Sequence, residues 1–413
     1  MKLSCLQENL KSGLNVIGRA VASRTTLPIT QNVLISTDQS QLKLAATNLE
    51  IAISCWIGAK IESEGSITIP ARVLTEFVSS LPSDIISFDL KHHTLEIKCG
   101  RYEARINGLD AADFPPIPQV GDGFSTRVKA EELKLAINQV AFAAATEESR
   151  PVLTGVQTEF EGSKLTMAAA DGFRLAVHRA NLATPVKEKV AMIIPAKAYH
   201  ELNRLMTAPG EDVEITLNEQ KSQILFRFDS IQGGVIEETK EKKLREGEAG
   251  EVSAGTYVEK TKTSVKLRVE MVSQLIQGNF PNYSQLIPQT YGTKARIDVA
   301  EFLRAIKMAA IFARDGSGIA RVIVTPGATV EAGKITISAR ADEIGDNIGE
   351  IDALVDGEAA KIAFNARYLA DVLSVVKQAQ VSLEVSTPSN PGVIRPVGTD
   401  NYDHVVMPMF VQW

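Results

Sequence analysis

The sequence predicts an α+β protein built from one unit that is repeated three times. Helix-like and strand-like segments recur in the same order along the 413 residues, and self-similarity at this scale is typical of a repeated domain. Each repeat has two apolar stripes at helical spacing, separated by short runs in which apolar and polar residues alternate. Two helices and several antiparallel strands in each unit make the class α+β.

Each repeat begins with an amphipathic helix. In the first copy the apolar stripe consists of Leu10, Leu14, Ile17 and Val21. The second and third copies are residues 133–144 and 302–313. We therefore expect three equivalent helices, each with one buried face.

A second helix in each repeat follows an opening motif in which Pro or Asn precedes an apolar stripe. The three copies are Ile69-Pro70-Ala71-Arg72, Ile194-Pro195-Ala196-Lys197 and Phe364-Asn365-Ala366-Arg367. Alternating, strand-like runs lie between the two helices of each repeat, for example at residues 42–46, 66–69, 164–168 and 334–339. These runs are predicted to pair as antiparallel strands.

Two further motifs complete each repeat. The turn motif occurs as Thr47-Asn48-Leu49-Glu50, as Ala170-Asp171-Gly172-Phe173 and as the more diverged Ala339-Arg340-Ala341-Asp342-Glu343. The closing motif occurs as Asp113-Phe114-Pro115, as Asn279-Phe280-Pro281 and as Val405-Val406-Met407-Pro408-Met409. The constant order predicts three domains, at residues 1–121, 122–290 and 291–413.

The second repeat contains an insertion. The interval from Pro195 to Asn365 is longer than the interval from Pro70 to Pro195, and a charged, glycine-dotted segment without apolar periodicity lies at about 233–265. Such composition is typical of a solvated, mobile loop or a long hairpin extension.

Composition limits the function classes. The net charge is −6 and the pI is near 5.6, which argues against nucleic-acid binding through bulk charge but leaves room for a local basic surface. Three cysteines, Cys5, Cys55 and Cys99, have no metal or redox spacing, so we interpret them as reduced and buried. The polar N-terminus and the absence of a long apolar run predict a cytoplasmic protein without a membrane segment.

Enzyme chemistry leaves no signature in the sequence. Phosphate-binding loops, dinucleotide fingerprints, zinc-protease helices and nucleophile elbows are all absent. His92-His93 lies between two strand-like runs and is interpreted as an exposed turn, and Asp171-Gly172 has no paired carboxylate. We therefore expect no catalytic residue, no metal and no cofactor.

Taken in this order, the motifs resemble the bacterial DNA polymerase III beta subunit family, the sliding clamps. Ser23-Arg24-Thr25-Thr26-Leu27-Pro28-Ile29 and Arg150-Pro151-Val152-Leu153-Thr154-Gly155 add to the resemblance, which covers the chain apart from the insertion. The resemblance implies a head-to-tail homodimer, a ring with helices lining a central hole and sheets forming the outer wall. It also implies a processivity factor in DNA replication that tethers other proteins to duplex DNA.

A ring around DNA needs only a mildly positive inner wall, because topology retains it and phosphate contacts carry no sequence information. Cations at helical spacing suit this purpose: Lys11 and Arg19; Lys197, His200 and Arg204; Arg304 and Lys307. The resemblance singles out Arg24, Arg72 and Lys197 as DNA contacts. The alternative for each cation is an ordinary solvated helix face.

The resemblance also implies an apolar cleft between the second and third domains that binds short peptides carrying Gln and a Leu-Phe-like pair. The matching residues are Leu153, Ala170, Gly172, Phe173, Arg174, Leu175, Pro281, Asn365, Tyr368, Val405, Val406, Met407, Pro408 and Met409. The alternative for 405–409 is a final buried strand, although Pro408 argues against a central strand position. Trp413 is a candidate to cover part of the cleft.

The implied partners are duplex DNA without sequence specificity, the DNA polymerase III alpha subunit, the clamp loader delta subunit, other polymerases, mismatch-repair proteins and a second copy of the chain. At the dimer interface, Phe77, Leu81 and Ile106 are expected to face Ile311 and Phe312, unless these are ordinary core residues. The rival function is a non-enzymatic peptide-binding scaffold that never encircles DNA.

Overall fold

The computed structural model describes the chain except residues 122, 183, 241–256, 314–317, 328–331, 342 and 344; for 233–240 and 257–264 it describes the backbone alone. Within the described residues there are six α-helices. They are α1 (Gln7–Ile17), α2 (Ala71–Ser80), α3 (Ala130–Val140), α4 (Ala196–Leu205), α5 (Val299–Ala313) and α6 (Ala366–Val375). These are the two predicted helices of each repeat, which confirms that part of the fold.

Antiparallel strands make up most of the remainder. In the first third of the chain they are β1 (Lys2–Leu6), β2 (Asn32–Asp38), β3 (Gln41–Thr47), β4 (Ile51–Ile57), β5 (Lys60–Ser63), β6 (Ser66–Pro70), β7 (Ile85–Lys91), β8 (Thr94–Cys99) and β9 (Tyr102–Asn107). In the middle they are β10 (Gly123–Lys129), β11 (Gly155–Glu161), β12 (Lys164–Ala170), β13 (Arg174–Asn181), β14 (Val190–Pro195), β15 (Asp212–Asn218), β16 (Gln223–Lys240) and β17 (Tyr257–Gln274). In the last third they are β18 (Thr293–Asp298), β19 (Ile319–Thr325), β20 (Gly333–Ala341), β21 (Gly345–Gly357), β22 (Ala360–Asn365), β23 (Gln380–Val385), β24 (Gly392–Pro396) and β25 (Tyr402–Val406).

The chain divides into two compact units. Unit 1 comprises Met1–Ser125, Arg204–Glu219 and Gln223–Ser273. It contains a five-stranded sheet in the order β5-β1-β7-β8-β9 and an eight-stranded sheet in the order β10-β15-β16-β17-β4-β3-β2-β6. Helix α1 packs against α2 and β4.

Unit 2 comprises Thr126–Asn203, Gln220–Ser222 and Gln274–Trp413. Its twelve strands form one sheet in the order β14-β11-β12-β13-β25-β24-β23-β18-β21-β20-β19-β22. Helix α3 packs on β13, and α5 packs on α6 and on β20 and β21. The helices cover one face of the strands, as an α+β architecture requires.

The first helix buries its predicted stripe but ends earlier than predicted. Leu10, Leu14 and Ile17 are all at most 1% exposed, and the chain leaves the α-helix at Gly18 for a short 3-10 turn. Val21 lies beyond that turn in extended backbone, so the extension of the stripe to Val21 was wrong. Glycine is a poor helix former, and the tighter 3-10 bonding that begins at Gly18 ends the helix there.

The turn motif has the same geometry in the first two repeats. The Asn48 side chain accepts hydrogen bonds from the backbone N–H groups of Glu50 and Ile51, at 3.0 and 2.9 Å. The Asp171 side chain accepts from Phe173 and Arg174 in the same way, at 2.9 and 3.0 Å. Because Asn and Asp stabilise turns through such local bonds, the motif fixes the same hairpin end twice.

Two strand junctions join segments of neighbouring predicted domains. In unit 1, β17 pairs with β4, and Val272 and Arg268 lie opposite Ala52 and Trp56. In unit 2, β25 pairs with β13, and Val405 lies opposite Leu175. Each junction is antiparallel, so the backbone hydrogen bonds of one sheet continue from one repeat into the next.

Charged side chains cross the junction in unit 2. Arg179 and Arg395 both bind Asp403, at 2.7 and 2.6 Å, and Arg395 also pairs with Glu384. Lys294 binds the other carboxylate oxygen of Glu384 at 2.9 Å. The result is a row of alternating charges across five strands, in which each carboxylate is neutralised by two cations.

The junction in unit 1 is organised around Trp56, which is 8% exposed. Its ring lies close to two cations, the Lys43 ammonium, 4.9 Å from the ring centre, and the Arg268 guanidinium, 5.0 Å from it. The indole N–H donates to Asp38 at 2.9 Å. Cations over an indole ring are favourable contacts, and Arg268 brings one of them from the neighbouring strand.

Several smaller predictions concern local features. Cys5, Cys55 and Cys99 are free and buried, as predicted, and His92-His93 forms the turn between β7 and β8. The middle of the predicted insertion, residues 241–256, lies outside the described residues, and β16 and β17 lead into it from both sides. No helix in the described part of the chain is long and apolar enough to span a membrane.

Two histidines are buried at the junction in unit 2. The His178 ring nitrogen Nδ1 lies 2.7 Å from the Gln139 Oε1, and the His404 Nδ1 lies 3.3 Å from the Tyr402 hydroxyl. Neither Nε2 has a hydrogen-bond partner among the described residues. Burial, reinforced by Arg179, lowers the pKa of His178 to about 4, and burial with Arg174 lowers that of His404 to about 3.

Mild acid is therefore expected to destabilise this junction. Because both pKa values are lower in the folded than in the unfolded chain, the unfolded chain takes up protons first as the pH falls below 6.5. The free energy of unfolding should fall by about 1.4 kcal/mol for each histidine at pH 5.5. Urea unfolding at pH 7.5 and pH 5.5 measures it. The variant with His178→Gln and His404→Gln should show a smaller difference between the two pH values, and an unchanged difference would contradict the assignment.

Candidate functional site

The turn between β12 and β13 forms one side of an apolar surface in unit 2. Gly172 has φ +93°, a backbone conformation that residues other than glycine rarely adopt. The turn places Phe173 on the outside. Phe173 is 63% exposed. Its carbonyl accepts a 2.8 Å hydrogen bond from the N–H of Met407, which ties the turn to the end of β25.

The floor of this surface is a small apolar core. Leu175 and Val405 lie opposite each other on β13 and β25 and pack with Ile287, while Ala170 and Tyr283 are half-buried against them. Pro281 and Leu286 are exposed on the segment that carries Tyr283. A preformed apolar floor with exposed apolar walls is suited to anchoring side chains of a peptide.

A cavity of about 570 Å³ adjoins the turn. Three segments of unit 2 supply its lining: the loop after α3, the turn before β13 and the start of α6. The lining residues are Ala144, Ala145, Thr146, Glu147, Ser149, Arg150, Leu153, Asp171, Gly172, Phe173, Arg174, Arg367 and Tyr368. The cavity therefore combines apolar side chains with several charges.

Arg174 holds these segments together. Its guanidinium donates to Asp171 at 3.0 Å, to Asp371 at 2.7 Å and to the Phe142 carbonyl at 2.8 Å. The group also lies near the rings of Phe142 and Tyr368, 5.2 and 4.4 Å from their centres. With its side chain 8% exposed, Arg174 positions α6 against β13 and has little surface left for a ligand.

Helix α6 brings two predicted residues to the site. The Asn365 side chain caps the helix by accepting from the N–H of Arg367 at 2.9 Å, which sets where Arg367 and Tyr368 point. Burial raises the pKa of Tyr368, and the Asp171 carboxylate adds to the rise. Its hydroxyl is therefore a neutral hydrogen-bonding group at physiological pH.

The structure brings most of the predicted cleft residues together in two groups. Leu153, Gly172, Phe173, Arg174 and Tyr368 line the cavity; Ala170, Leu175 and Val405 belong to the floor. Val406 lies opposite Arg174 and is 1% exposed, and Met407 is 42% exposed at the strand end.

The segment 405–409 is predicted to form a cleft wall, and the alternative, a final buried strand, applies to its first two residues. Val405 and Val406 lie in a central strand of the twelve-stranded sheet, and that strand ends before Pro408. Met409 donates its N–H to the Ala363 carbonyl at 2.8 Å, so the chain beyond Met407 runs along β22. Trp413 lies 5.9 Å from the Lys361 ammonium and is absent from the cavity lining.

Sequence reasoning missed several residues of this surface: Ile287, Tyr283, Glu147, Arg150, Asp171 and Arg367. Arg150, Asp171 and Arg367 each belong to one of the repeated or family-like motifs, so the signal was present. Ile287 lies outside every motif, and only its packing against Leu175 and Val405 identifies it.

The predicted DNA contacts are all exposed. Arg24 lies in the loop after the 3-10 turn that ends α1, and Arg72 and Lys197 lie in the first turns of α2 and α4. Arg72 pairs with Glu76 one helical turn later, at 2.9 Å. The six helices together carry eight Lys or Arg and seven Asp or Glu, a near-balance that contrasts with the chain's net charge of −6.

The residues predicted at a dimer interface differ in exposure. Leu81 and Ile106 are 8% and 7% exposed in the single chain and contribute mainly to its core. Phe77 and Phe312 are half-buried, whereas Ile311 on α5 is 57% exposed. Ile311 therefore offers the largest free apolar surface of the five.

No group of acidic, histidine and cysteine side chains in the described part of the chain has metal-binding geometry. The repeats carry an apolar surface beside a cavity, exposed helix cations and strand junctions between successive repeats. This combination of fold and site defines a protein of the sliding-clamp class.

Comparison with known proteins identifies the family. Residues 1–118, 127–238 and 284–410 match the N-terminal, central and C-terminal domains of the DNA polymerase III beta subunit. The beta sliding clamps of Synechococcus elongatus and Bacillus subtilis are each 28% identical to the chain over 99% of both sequences. The crystal structure of the Bacillus subtilis DNA polymerase sliding clamp covers the whole of both chains with a TM-score of 0.85 at 27% identity.

The chain therefore belongs to the DNA polymerase III beta subunit family. Its role is that of a DNA sliding clamp, as the sequence resemblance implied.

Proposed function

We propose that two copies of the chain join head to tail into a ring around duplex DNA and that the ring tethers replication proteins through the surface beside Phe173. Under this proposal the chain has three domains, at 1–121, 122–290 and 291–413, and acts without catalysis in the cytoplasm. The observation that carries the proposal is the strand junction, which occurs twice among the described residues and leaves one matching pair of strand edges there without a partner strand.

The free edges belong to β9 and to the first half of β21. Residues 345–353 of β21 pair with β20 on one side, whereas β18 pairs only with residues 354–357. In the two junctions a strand that closes one repeat, β17 or β25, pairs with the strand that follows the turn motif of the preceding repeat, β4 or β13. The equivalent strands that remain are β9, at the outer edge of its sheet, and β21, which follows β20 as β4 follows β3. A β9 edge of one copy and a β21 edge of another are thus suited to form the third junction.

The repeats also indicate the register. The bridges Thr68–Leu109 and Ile193–Ile276 occupy equivalent places, since Thr68 and Ile193 each lie two residues before the proline that precedes α2 or α4. Leu109 and Ile276 are therefore equivalent positions. Arg105 and Val272 lie the same number of residues before them and are equivalent, and so are Arg101 and Arg268. Val272 lies opposite Ala52 in the existing junction.

On β21 the residues that face away from the helices are the more exposed, even-numbered ones. Placing Asp346 at the position of Ala52 brings Arg105 of β9 opposite Asp346, and it brings Arg101, in the turn directly before β9, beside Glu350. Shifting β9 by two residues along β21 in one direction places Glu103 opposite Glu350. Shifting it by two residues in the other direction places Glu103 opposite Asp346. Because like charges directly opposite destabilise a strand pair, charge favours the first register.

A charge reversal tests ring closure. Arg101→Glu with Arg105→Glu should weaken dimerisation by at least about tenfold, because like charges then meet across the strands. Adding Asp346→Arg and Glu350→Arg to the same chain should restore it. Sedimentation velocity over a concentration series gives the dimer fraction.

The control is the wild-type chain at the same concentrations, with circular dichroism to show that each variant folds. A dimer that withstands the first reversal, or that the second reversal does not restore, would remove the proposed register.

The peptide surface is the second part of the proposal. Its apolar floor and its exposed Phe173 and Met407 support binding of Gln-x-x-Leu-Phe peptides of the kind that the family resemblance implies, with the polymerase alpha subunit, the loader delta subunit, other polymerases and mismatch-repair proteins as their carriers. A few apolar anchors supply most of the energy in such interfaces.

Fluorescence anisotropy of a labelled Gln-x-x-Leu-Phe peptide tests this surface. Phe173→Asp and Met407→Asp should each weaken binding by about tenfold or more, because a carboxylate replaces an apolar contact. Both side chains are well exposed, at 63% and 42%, so the fold should tolerate the changes; Leu175, at 2%, is a poor choice.

Met308→Asp is the matched control, since Met308 on α5 is also 42% exposed and does not line the cavity. Equal weakening by the control, or no binding by the wild-type chain, would count against the proposed surface.

Arg24, Arg72 and Lys197 are the proposed DNA contacts, supported by their exposure and their places in family-like motifs. Replacing all three by Ala should lower affinity for a short linear duplex and flatten its salt dependence by about 0.9 in log–log slope for each phosphate that is no longer neutralised. Anisotropy of a labelled duplex at several salt concentrations provides the slope.

A triple variant at the exposed Lys60, Lys164 and Lys221 removes the same charge outside the helices. If the two triple variants change the slope equally, bulk charge and not these residues is responsible. If neither binds less than wild type, the rival function, a peptide-binding scaffold that does not encircle DNA, gains support.

A further inference from the structure

Nothing in the described part of the chain requires the glycine at position 349 of β21. Its φ lies outside the left-handed region that favours glycine, and a Cβ built there would meet no atom within 4 Å beyond its immediate neighbours. Gly345, at the start of the same strand, differs in having φ +121°. Glycine weakens a strand, and inside one it often marks a place where another group approaches closely. For Gly349 that group should come from outside the single chain.

Gly349 lies on the half of β21 that has β20 on one side and no strand among the described residues on the other. Its partner on β20 is Ile337, which is fully buried. Because directly opposite residues share a face of the sheet, the missing side chain of Gly349 leaves a gap on the face that packs against the helices. Helix α5 packs on β21 and carries Ile311, which is 57% exposed.

The other free edge carries an exposed aromatic ring on the corresponding face of its sheet. Tyr102 is the first residue of β9 and is 58% exposed. It lies opposite Cys99 of β8, which is buried in the core of unit 1, so Tyr102 is also on the helix side. An aromatic side chain left exposed beside a core face has a large apolar area to bury against a partner.

The register that charge favours brings these two residues together. With Arg105 opposite Asp346, Tyr102 lies opposite Gly349, three residues away along each strand. Shifting the strands by two residues in either direction places a residue with a side chain opposite Tyr102 and leaves Gly349 without the ring. An aromatic residue directly opposite a glycine stabilises a sheet edge, because the ring covers the backbone that glycine leaves bare.

Resting on the proposed ring of two copies, we propose that the Tyr102 side chain of one copy packs over Gly349 of the other and that this pair determines which chains can close a ring. The side chain fills the gap at Gly349 and extends towards the exposed Ile311. Backbone pairing needs no particular side chain, whereas this contact needs an aromatic residue on one edge and no Cβ on the other. A chain with a larger residue at position 349 is therefore rejected as a partner.

Size changes at the two positions test the proposal. Tyr102→Ala and Gly349→Val should each weaken dimerisation by at least about tenfold, because a buried tyrosine is often a dominant interface contact and each ring contains this contact twice. Sedimentation velocity over a concentration series measures the change. Two controls should leave the dimer as it is: Tyr291→Ala, at a tyrosine that is 45% exposed, and Gly58→Val, at another glycine with open space at its Cβ position.

Mixing the two variants tests the direct contact. In a head-to-tail dimer of one Tyr102→Ala chain and one Gly349→Val chain, one junction is unchanged, and both substitutions fall in the other junction, where the smaller side chain meets the larger. The mixed dimer should form at least about threefold more tightly than either variant alone, the share of a tenfold loss that belongs to one of two independent junctions. A fluorescent label on one variant identifies the mixed dimer, and mixing that restores no dimer would contradict the contact.

The outcomes separate this inference from the proposed function. If the wild-type chain is a monomer at every concentration, the ring fails and the contact fails with it. If the wild-type chain dimerises and responds to the reversal at Arg101 and Arg105, but not to Tyr102→Ala or Gly349→Val, the ring stands and the contact is wrong.

Urea unfolding separates a role in the interface from a role in the fold. In the charge-reversed chain with Arg101→Glu and Arg105→Glu, which should be monomeric, Gly349→Val should leave the urea midpoint unchanged or raise it, because valine favours strands. A lower midpoint would show that the fold of the single chain requires the glycine, and the proposal would then be withdrawn.

Discussion

The antiparallel strand junction between successive repeats is the constraint on which the rest of this clamp depends. Backbone hydrogen bonds join β17 to β4 and β25 to β13, and they need matching edges rather than particular side chains. Side chains then stabilise each junction in a different way. Trp56 with its two cations does so in unit 1, and the row of charges from Arg179 to Lys294 does so in unit 2.

The peptide surface is a consequence of the junction in unit 2. The hydrogen bond from Met407 to the Phe173 carbonyl lies directly beyond the last β25–β13 pair, and the floor residues Leu175 and Val405 are themselves junction partners. Arg174 adds the contact to α6 through Asp371. The proposed peptide surface therefore lies where two repeats meet, and acidification that weakens the junction at His178 and His404 should also weaken the surface.

The sequence was a good guide where local chemistry decides the structure. The opening motifs placed α2, α4 and α6 within a residue or two, because Pro70, Pro195 and Asn365 act through backbone geometry and capping. It was a poor guide where distant segments meet. The pairing of Arg174 with Asp371, 197 residues later, and the packing of Ile287 on Leu175 depend on the folded arrangement of the strands. The predicted extension of the apolar stripe to Val21 was wrong for a local reason, because the α-helix ends before Gly18.

The most direct test of the account is a covalent ring. Arg105→Cys and Asp346→Cys in one chain place two thiols at directly opposite positions of the proposed third junction, while the native Cys5, Cys55 and Cys99 stay buried. After loading on nicked circular DNA and oxidation, disulfide-linked dimers should remain on the circle in denaturant and should be released when the circle is cut. Failure of the two cysteines to cross-link between copies, or release from an uncut circle after cross-linking, would contradict it.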